Sequence, residues 1–596
     1  MKKIPYFLLL SLVFLPVFVS STTYYVDFNN GLDSNSGISA ENAWKHVPGD
    51  PNAGGNANLV LKPGDTVLFK GGVIYKGFFE VKSSGTASAP ITYRGNGWGQ
   101  DKAIFDHSIQ LSGWTKCSSA EECGGNPNWQ KIYYATAPMG TKALLSNLYQ
   151  DDEMLYVAQY PNPVDPFFMD NRDYYLNAST VSSTTLDDPL LSEIGADLLG
   201  GYVFISASGN QVLFRKITGY SKSTITFEPV EGPESQYAIS NSIHGKVLDK
   251  QGEYYLDENT GKVYLWPLQD QNPSQSEITV SVLTHKSRWS QTTIEIGGHD
   301  HIVIDGLKLQ KGLYRAIKAW EGTTGIVVKN CEIEKYRSDT VSSAVEFYST
   351  DDSVFENNYF SYNARMGGIF VDGGQRVKYI ENTLTKLGQQ PLIFWRCTDC
   401  EIRDNYVYGS TGVHSNGISV YIDCKNILIT GNTVLDSNYA LTLSELEDIT
   451  ITNNIFIGTL PIAVWNSGGR LARNFTIDHN ILLGGKNGNI ISLSPSSSVH
   501  FTDDIDNFVM KNNILDGQSE GAGSYTYNIY TGTAWNQRLL SSTEKRASIY
   551  ELFVNPETYD FNPKQDSPAC GAGENGSDIG AIPCGTKRAK KGNIRR

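Results

Sequence analysis

Asn358-Tyr359-Phe360, Asn382-Thr383-Leu384, Asn405-Tyr406-Val407, Asn432-Thr433-Val434, Asn454-Ile455-Phe456, Asn480-Ile481-Leu482 and Asn513-Ile514-Leu515 repeat one pattern: Asn, any residue, then an apolar one. The copies recur every 22 to 33 residues between about Ile302 and Leu515. A repeat of this size means a stacked solenoid, and the short alternating Val/Ile/Leu/Phe runs between the copies read as strands rather than helices. One repeat therefore forms one coil of a parallel β-helix. Asn side chains stacked at a tight turn bond to one another and to the turn backbone, which explains a polar residue recurring beside apolar ones. Cys331 stands in the Asn place of the first such coil.

Outward from the repeat, the chain divides into six segments. Residues 1–21 carry Lys2, Lys3, an apolar run to Val19 and small residues before Thr22, the pattern of a secretory signal peptide. A secreted or periplasmic protein with no membrane span is expected. Residues 22–112 read as an N-terminal cap and first coils, with Tyr24-Tyr25-Val26-Asp27, Pro63 to Phe69, Ile91-Thr92-Tyr93 and Ala103-Ile104-Phe105 as strands. From 113 to 283 the repeat disappears. Longer alternating segments such as Gln211 to Phe214 and Ser223 to Phe227, and a hairpin over Tyr254–Trp266, read as an inserted β-rich subdomain. Residues 284–515 form the main helix, 516–584 the last coils and a cap, and 585–596 a basic disordered tail.

The formal charge is −14 with only 19% charged residues, and no basic face can be found within the folded region, which argues against nucleic-acid binding. Eight cysteines in 596 residues are accessories rather than a framework. Cys117 with Cys123 and Cys570 with Cys584 can close local loops, while Cys331 and Cys400 read as buried thiols. Coil alignment puts Cys397 beside Cys424, where a bond and simple stacking both remain open.

These features resemble the secreted right-handed parallel β-helix superfamily that includes pectate lyases, polygalacturonases and several glycoside hydrolases. The resemblance rests on Tyr24-Tyr25-Val26, Pro63 to Phe69, the hairpin ending Trp266-Pro267, Ile304-Asp305-Gly306-Leu307 and the Asn ladder. It implies an all-β fold, a right-handed parallel β-helix with an inserted β-rich subdomain, and a carbohydrate partner, without fixing the reaction.

The last strand of each coil aligns as Ile317-Lys318-Ala319-Trp320, Val345-Glu346-Phe347-Tyr348, Ile369-Phe370-Val371-Asp372, Leu392-Ile393-Phe394-Trp395, Ile418-Ser419-Val420-Tyr421 and Leu441-Thr442-Leu443-Ser444. First and third members point inward, so Trp320, Tyr348, Asp372, Trp395, Tyr421 and Ser444 form an exposed column continued by Trp465. Flat sugar faces stack on such rings, and a glycan groove follows, with the competing reading that the inserted subdomain covers them. Asp372 sits mid-row, and Glu346 lies one coil earlier and two residues back. Their Cα atoms should be roughly 8 Å apart on one face, within reach of both the retaining and the inverting glycosidase arrangement.

The expected catalytic residues are Asp372, Glu346 and His414. Lys318, Trp320, Tyr348, Arg365, Trp395, Arg396, Tyr421 and Glu445 are expected to bind substrate, Glu445 lying three coils beyond Asp372. His414 precedes Ser415-Asn416-Gly417-Ile418-Ser419. Polygalacturonases carry a His directly before Gly-Ile-Ser, but here two residues intervene and the paired aspartates are missing. No metal ligand set and no cofactor are called for, with room left for a structural or substrate-bridging Ca2+. The leading expectation is a secreted, monomeric glycoside hydrolase acting on a plant or algal polysaccharide or oligosaccharide. The arginines of the repeat region admit an anionic glycan. The alternatives are a polysaccharide lyase, using basic groups such as Lys318, Arg365, Arg396, His414 and Tyr421 for β-elimination on a uronate, and a non-catalytic glycan-binding β-helix.

Overall fold

The computed structural model describes residues 21–588 except 168–169, 195–197, 208–210, 284–290, 321, 340–341, 411, 415, 466–471, 486–498, 502–505, 517–522 and 532–539. The expected signal peptide therefore lies outside the described residues except for its last, Ser21, and the expected tail does so from 589 onward.

The chain is a right-handed parallel β-helix with three parallel faces. One coil contributes Lys378–Ile380, Thr383–Thr385 and Leu392–Trp395, and each strand pairs in parallel with its counterpart one coil away. Inward-facing side chains such as Phe347, Val371, Phe394, Val420 and Leu443 stack into one continuous apolar core.

The Asn ladder closes the corner between the first two strands. The residue before each Asn is left-handed, as at Asn357, Glu381, Asp404, Asn453, His479 and Asn512, which turns the chain so that the Asn side chain enters the core. Asn358 donates its backbone N–H to Oδ1 of Asn382 at 3.1 Å and its Nδ2 to the same oxygen at 2.9 Å, while Nδ2 also reaches the Val328 carbonyl at 2.9 Å. The motif repeats through Asn382, Asn405, Asn432, Asn454, Asn480 and Asn513, and ends on Asn528, one rung beyond the sequence expectation. Cys331 joins the ladder through its backbone N–H to Asn358 Oδ1 at 3.0 Å.

The insertion leaves the solenoid unbroken. Phe79–Glu80, Ile91–Arg94 and Ala103–Asp106 pair directly with Thr292–Gly297, Ile302–Asp305 and Leu307–Gln310. The chain leaves through Ser108–Gln110 and returns through Ile278–Ser281, which pair with each other. Between them lie antiparallel sheets with their own apolar clusters, including the hairpin Glu253–Asp257 with Lys262–Leu265. This subdomain docks on the corner that precedes the groove strands. Arg337 donates to Asn147 Oδ1, the Tyr149 hydroxyl donates to the Lys335 carbonyl at 2.9 Å, and Asp152 takes ion pairs from Lys311 and Lys335 at 2.9 and 2.6 Å.

Cys117–Cys123 and Cys570–Cys584 are disulfides, whereas Cys331, Cys397, Cys400 and Cys424 are buried thiols. Cys397 and Cys424 stack without bonding, the Cys397 N–H donating to Cys424 Sγ at 3.2 Å. The tail departs from the expectation of disorder over its first residues: Arg588 turns back, its guanidinium donating to the Gly431 carbonyl and its N–H to Asn562 Oδ1 at 2.8 Å. Among the described residues no helix is long and apolar enough to cross a membrane.

Candidate functional site

The strands Arg315–Ala319, Ser343–Tyr348, Gly367–Asp372, Leu392–Trp395, Ile418–Thr430, Thr433–Thr452 and Ile455–Trp465 stack in the register the sequence predicts. Tyr348 pairs with Asp372, Asp372 with Trp395, Trp395 with Tyr421, Tyr421 with Ser444 and Ser444 with Trp465. A second outward row runs two residues upstream through Lys318, Glu346, Phe370, Ile393, Ser419 and Thr442. Alternation along a strand puts both rows on one face.

The rings of the first row lie back over the second row. The Tyr348 hydroxyl donates to Oε2 of Glu346 at 3.2 Å, and its ring meets Phe370 edge-on at 5.7 Å between centroids. Phe370 meets Trp395 in the same way at 5.2 Å. The Tyr421 hydroxyl bonds Thr442 and receives Asn416 Nδ2 at 3.1 Å, and its ring lies 6.0 Å from Trp465. Trp320, at the N-terminal end of the row, is 42% exposed with Lys318 Nζ 4.8 Å over its ring. Tyr348, Asp372, Trp395, Tyr421 and Trp465 are half-buried. Rings pinned at their edges and exposed on one side are suited to stacking on sugars. Ser444 corrects the expected column, for at 3% exposure it is covered.

The two carboxylates occupy different depths. Asp372 stands in the row and is paired with Arg396, whose side chain is 50% exposed and whose backbone is left-handed just past the strand end. Glu346 is 4% exposed, which corrects its expected place on the open face. It accepts four hydrogen bonds: from Arg315 Nε, from Ser342 Oγ at 2.7 Å, from the Ser343 N–H at 3.0 Å and from Tyr348. Arg315 and Ser343 can only donate through these groups, so each Glu346 oxygen is held as an acceptor, Oε2 by Arg315 and Oε1 by Ser343. Burial, and then the Glu346 charge, push the Tyr348 phenol well above its ordinary range.

Arg365 is withdrawn from the groove. It is 7% exposed, ion-paired to Asp170 of the inserted subdomain at 3.3 Å, bonded to the Asp339 and Val212 carbonyls, and laid over the Phe214 ring at 3.9 Å. Its place as a substrate ligand is thereby corrected to a docking residue. His414 sits on the corner that precedes the strand Ile418–Thr430, next to Val413, which joins the apolar cluster of the subdomain. Glu445 follows Ser444 within the strand Thr433–Thr452, with a left-handed backbone, three coils from Asp372.

Arg315, Ser342, Ser343 and Phe370 escaped sequence reasoning. Arg315 opens the strand Arg315–Ala319, two residues before the first aligned segment, and the parallel register of that strand with the Glu346 strand is the signal that would have found it. Among the described residues the one converging set of three His, Cys, Asp or Glu side chains is Cys570, Asp578 and Cys584, whose cysteines are bonded to each other.

A family model described as periplasmic copper-binding protein (NosD) matches residues 270–475. A comparison with curated proteins finds no match. Among solved structures, one described as a glycoside hydrolase is 12% identical with a TM-score of 0.54, covering 85% of this chain and 96% of that one. XylC in complex with xylose is 12% identical at a TM-score of 0.46, covering 88% and 86%. The pectate lyase Pel9A is 12% identical at 0.38, covering 96% and 98%. At these identities the likeness concerns the fold, and the last two are too loose to carry an argument. The chain is a right-handed parallel β-helix protein.

Proposed function

We propose that this protein is a secreted or periplasmic glycoside hydrolase, working as a monomer on a plant or algal polysaccharide or its oligomers along the aromatic row. The observation that carries the reading is the register that sets Glu346 and Asp372 one coil and two residues apart on the same face, beside Tyr348 and Trp395. Two carboxyl groups flanking one bond are what glycoside hydrolysis requires. Glu346, reached through the Tyr348 hydroxyl, takes the basic role, and Asp372, in the open row, is the general acid to the leaving oxygen. Trp320, Tyr348, Trp395 and Tyr421 serve as platforms, and Lys318 and Arg396 as ligands for hydroxyl or anionic substituents.

A polysaccharide panel with product masses tests this. Products that have gained water, with turnover lost in Asp372→Asn, support it, and wild-type turnover of that variant overturns it. A second reading, β-elimination on a uronic-acid glycan, is favoured by the cations along the row, Lys318 over Trp320 and Arg396 on Asp372. Its products carry no added water and absorb in the ultraviolet.

A further inference from the structure

The pair that hydrolysis needs has one member below the surface, and the groups around Glu346 say how it reaches the substrate. Three of its four donors, Arg315, Ser342 and Ser343, are themselves buried. Tyr348 is the fourth and has surface on the groove. Its ring covers the carboxylate, its hydroxyl rests on Oε2 at 3.2 Å, and the edge-on contact with Phe370 holds the phenol in that direction. In the same row its backbone neighbour is Asp372.

We propose that Tyr348 is a catalytic residue of the hydrolase rather than a stacking platform alone, and that Glu346 acts through it as a positioning and proton-accepting group. The inference rests on the hydrolase reading above. Water attacking the anomeric carbon forms the new C–O bond and gives its proton to Oη of Tyr348, while the phenol proton passes to Oε2 of Glu346. The glycosidic C–O bond breaks, and its oxygen takes the proton carried in by Asp372. Glu346 ends protonated and Asp372 ionised, and both are reset by proton exchange with solvent. The phenol never stands as a free phenolate beside two carboxylates, which its raised pKa would oppose. Arg315, ion-paired to Glu346, fixes the accepting Oε2 beside the Tyr348 hydroxyl.

Tyr348→Phe separates the two roles, because it keeps the ring and removes the hydroxyl. The full-length variant is expected to fold like wild type, to keep KM within about threefold and to lose kcat by about a hundredfold or more. Azide, a small anionic nucleophile that needs no base, should restore turnover and give a glycosyl azide. A Tyr348→Phe enzyme that hydrolyses at the wild-type rate, or one whose loss lies wholly in KM and is not rescued by azide, overturns the relay while leaving the hydrolase reading intact. Unsaturated products from the wild type, or a wild type inert on every glycan, overturn both.

Discussion

Arg315 and Glu346 form a buried ion pair across neighbouring parallel strands, directly beneath the ring of Tyr348. Each depends on the other for its charge to be tolerable there, and together they join the energetics of the sheet to the chemistry of the groove.

Arg315→Met should therefore cost about 3–5 kcal/mol by leaving Glu346 charged and unpaired in the interior. The double variant Arg315→Met, Glu346→Leu should recover most of that loss, since exchanging a buried pair for packed apolar groups is often neutral. Denaturant unfolding of the three proteins checks this. Equal stabilities for single and double variants would contradict it. The same pair means that Glu346→Gln loses stability as well as activity, so its turnover has to be measured where circular dichroism shows it folded.

The ladder makes an Asn inside a coil and an Asn outside it behave differently. Asn405 accepts from Asn382 N–H and Nδ2 at 3.0 and 2.9 Å and donates to the Tyr379 carbonyl and Asn432 Oδ1 at 2.8 and 3.0 Å, all buried. Asn405→Ala should cost about 3 kcal/mol or more, through several orphaned groups. Asn357 makes a 2.8 Å bond to Asn330 on the surface and has a left-handed backbone, and Asn357→Ala should cost about 1 kcal/mol, mostly through the backbone. Thermal melts of both variants are sufficient.

Trp395→Ala should weaken glycan binding by about 1–3 kcal/mol, as loss of a buried-edge aromatic platform does. It should also lower folding stability by about 1 kcal/mol through its edge-on contact with Phe370. Isothermal titration with oligosaccharides of increasing length and a melt of the free protein read the two losses separately. Unchanged affinity at every length would place the glycan elsewhere.

Glu253 gives a pH dependence of stability. Burial raises its carboxyl from 4.5 to about 8, against the backbone N–H groups of Asp249 and Lys250. The folded protein thus holds a proton there that the unfolded chain releases above the ordinary carboxyl range. Its contribution to stability is fully present below about pH 4.5 and is lost as pH rises through about 8, with a slope of at most about 1.4 kcal/mol per pH unit. Glu253→Gln keeps an acceptor for the two N–H groups and cannot ionise, so it should gain on wild type steadily across that window. Parallel stability curves for the two proteins would show that Glu253 does not hold the proton.

The coil was legible in the sequence because it is a local and repeated event. Each copy brings its own corner Asn and its own inward alternation, so one-residue slips would expose a whole set of apolar side chains, and the register of Tyr348, Asp372, Trp395 and Tyr421 follows from alignment alone. Loop closure by Cys117–Cys123 and Cys570–Cys584 was legible for the same reason of short range. The depth of a side chain was not. Glu346 alternates outward like any groove residue, yet Arg315, 31 residues away, and the ring of Tyr348 take it below the surface. Arg365 stands two residues before a groove strand, yet Asp170, 195 residues away in the inserted subdomain, claims it. Periodicity determines which face a residue is on; only the packing of distant segments, whose charges and surfaces must be satisfied together, decides which of those residues remain open to a substrate.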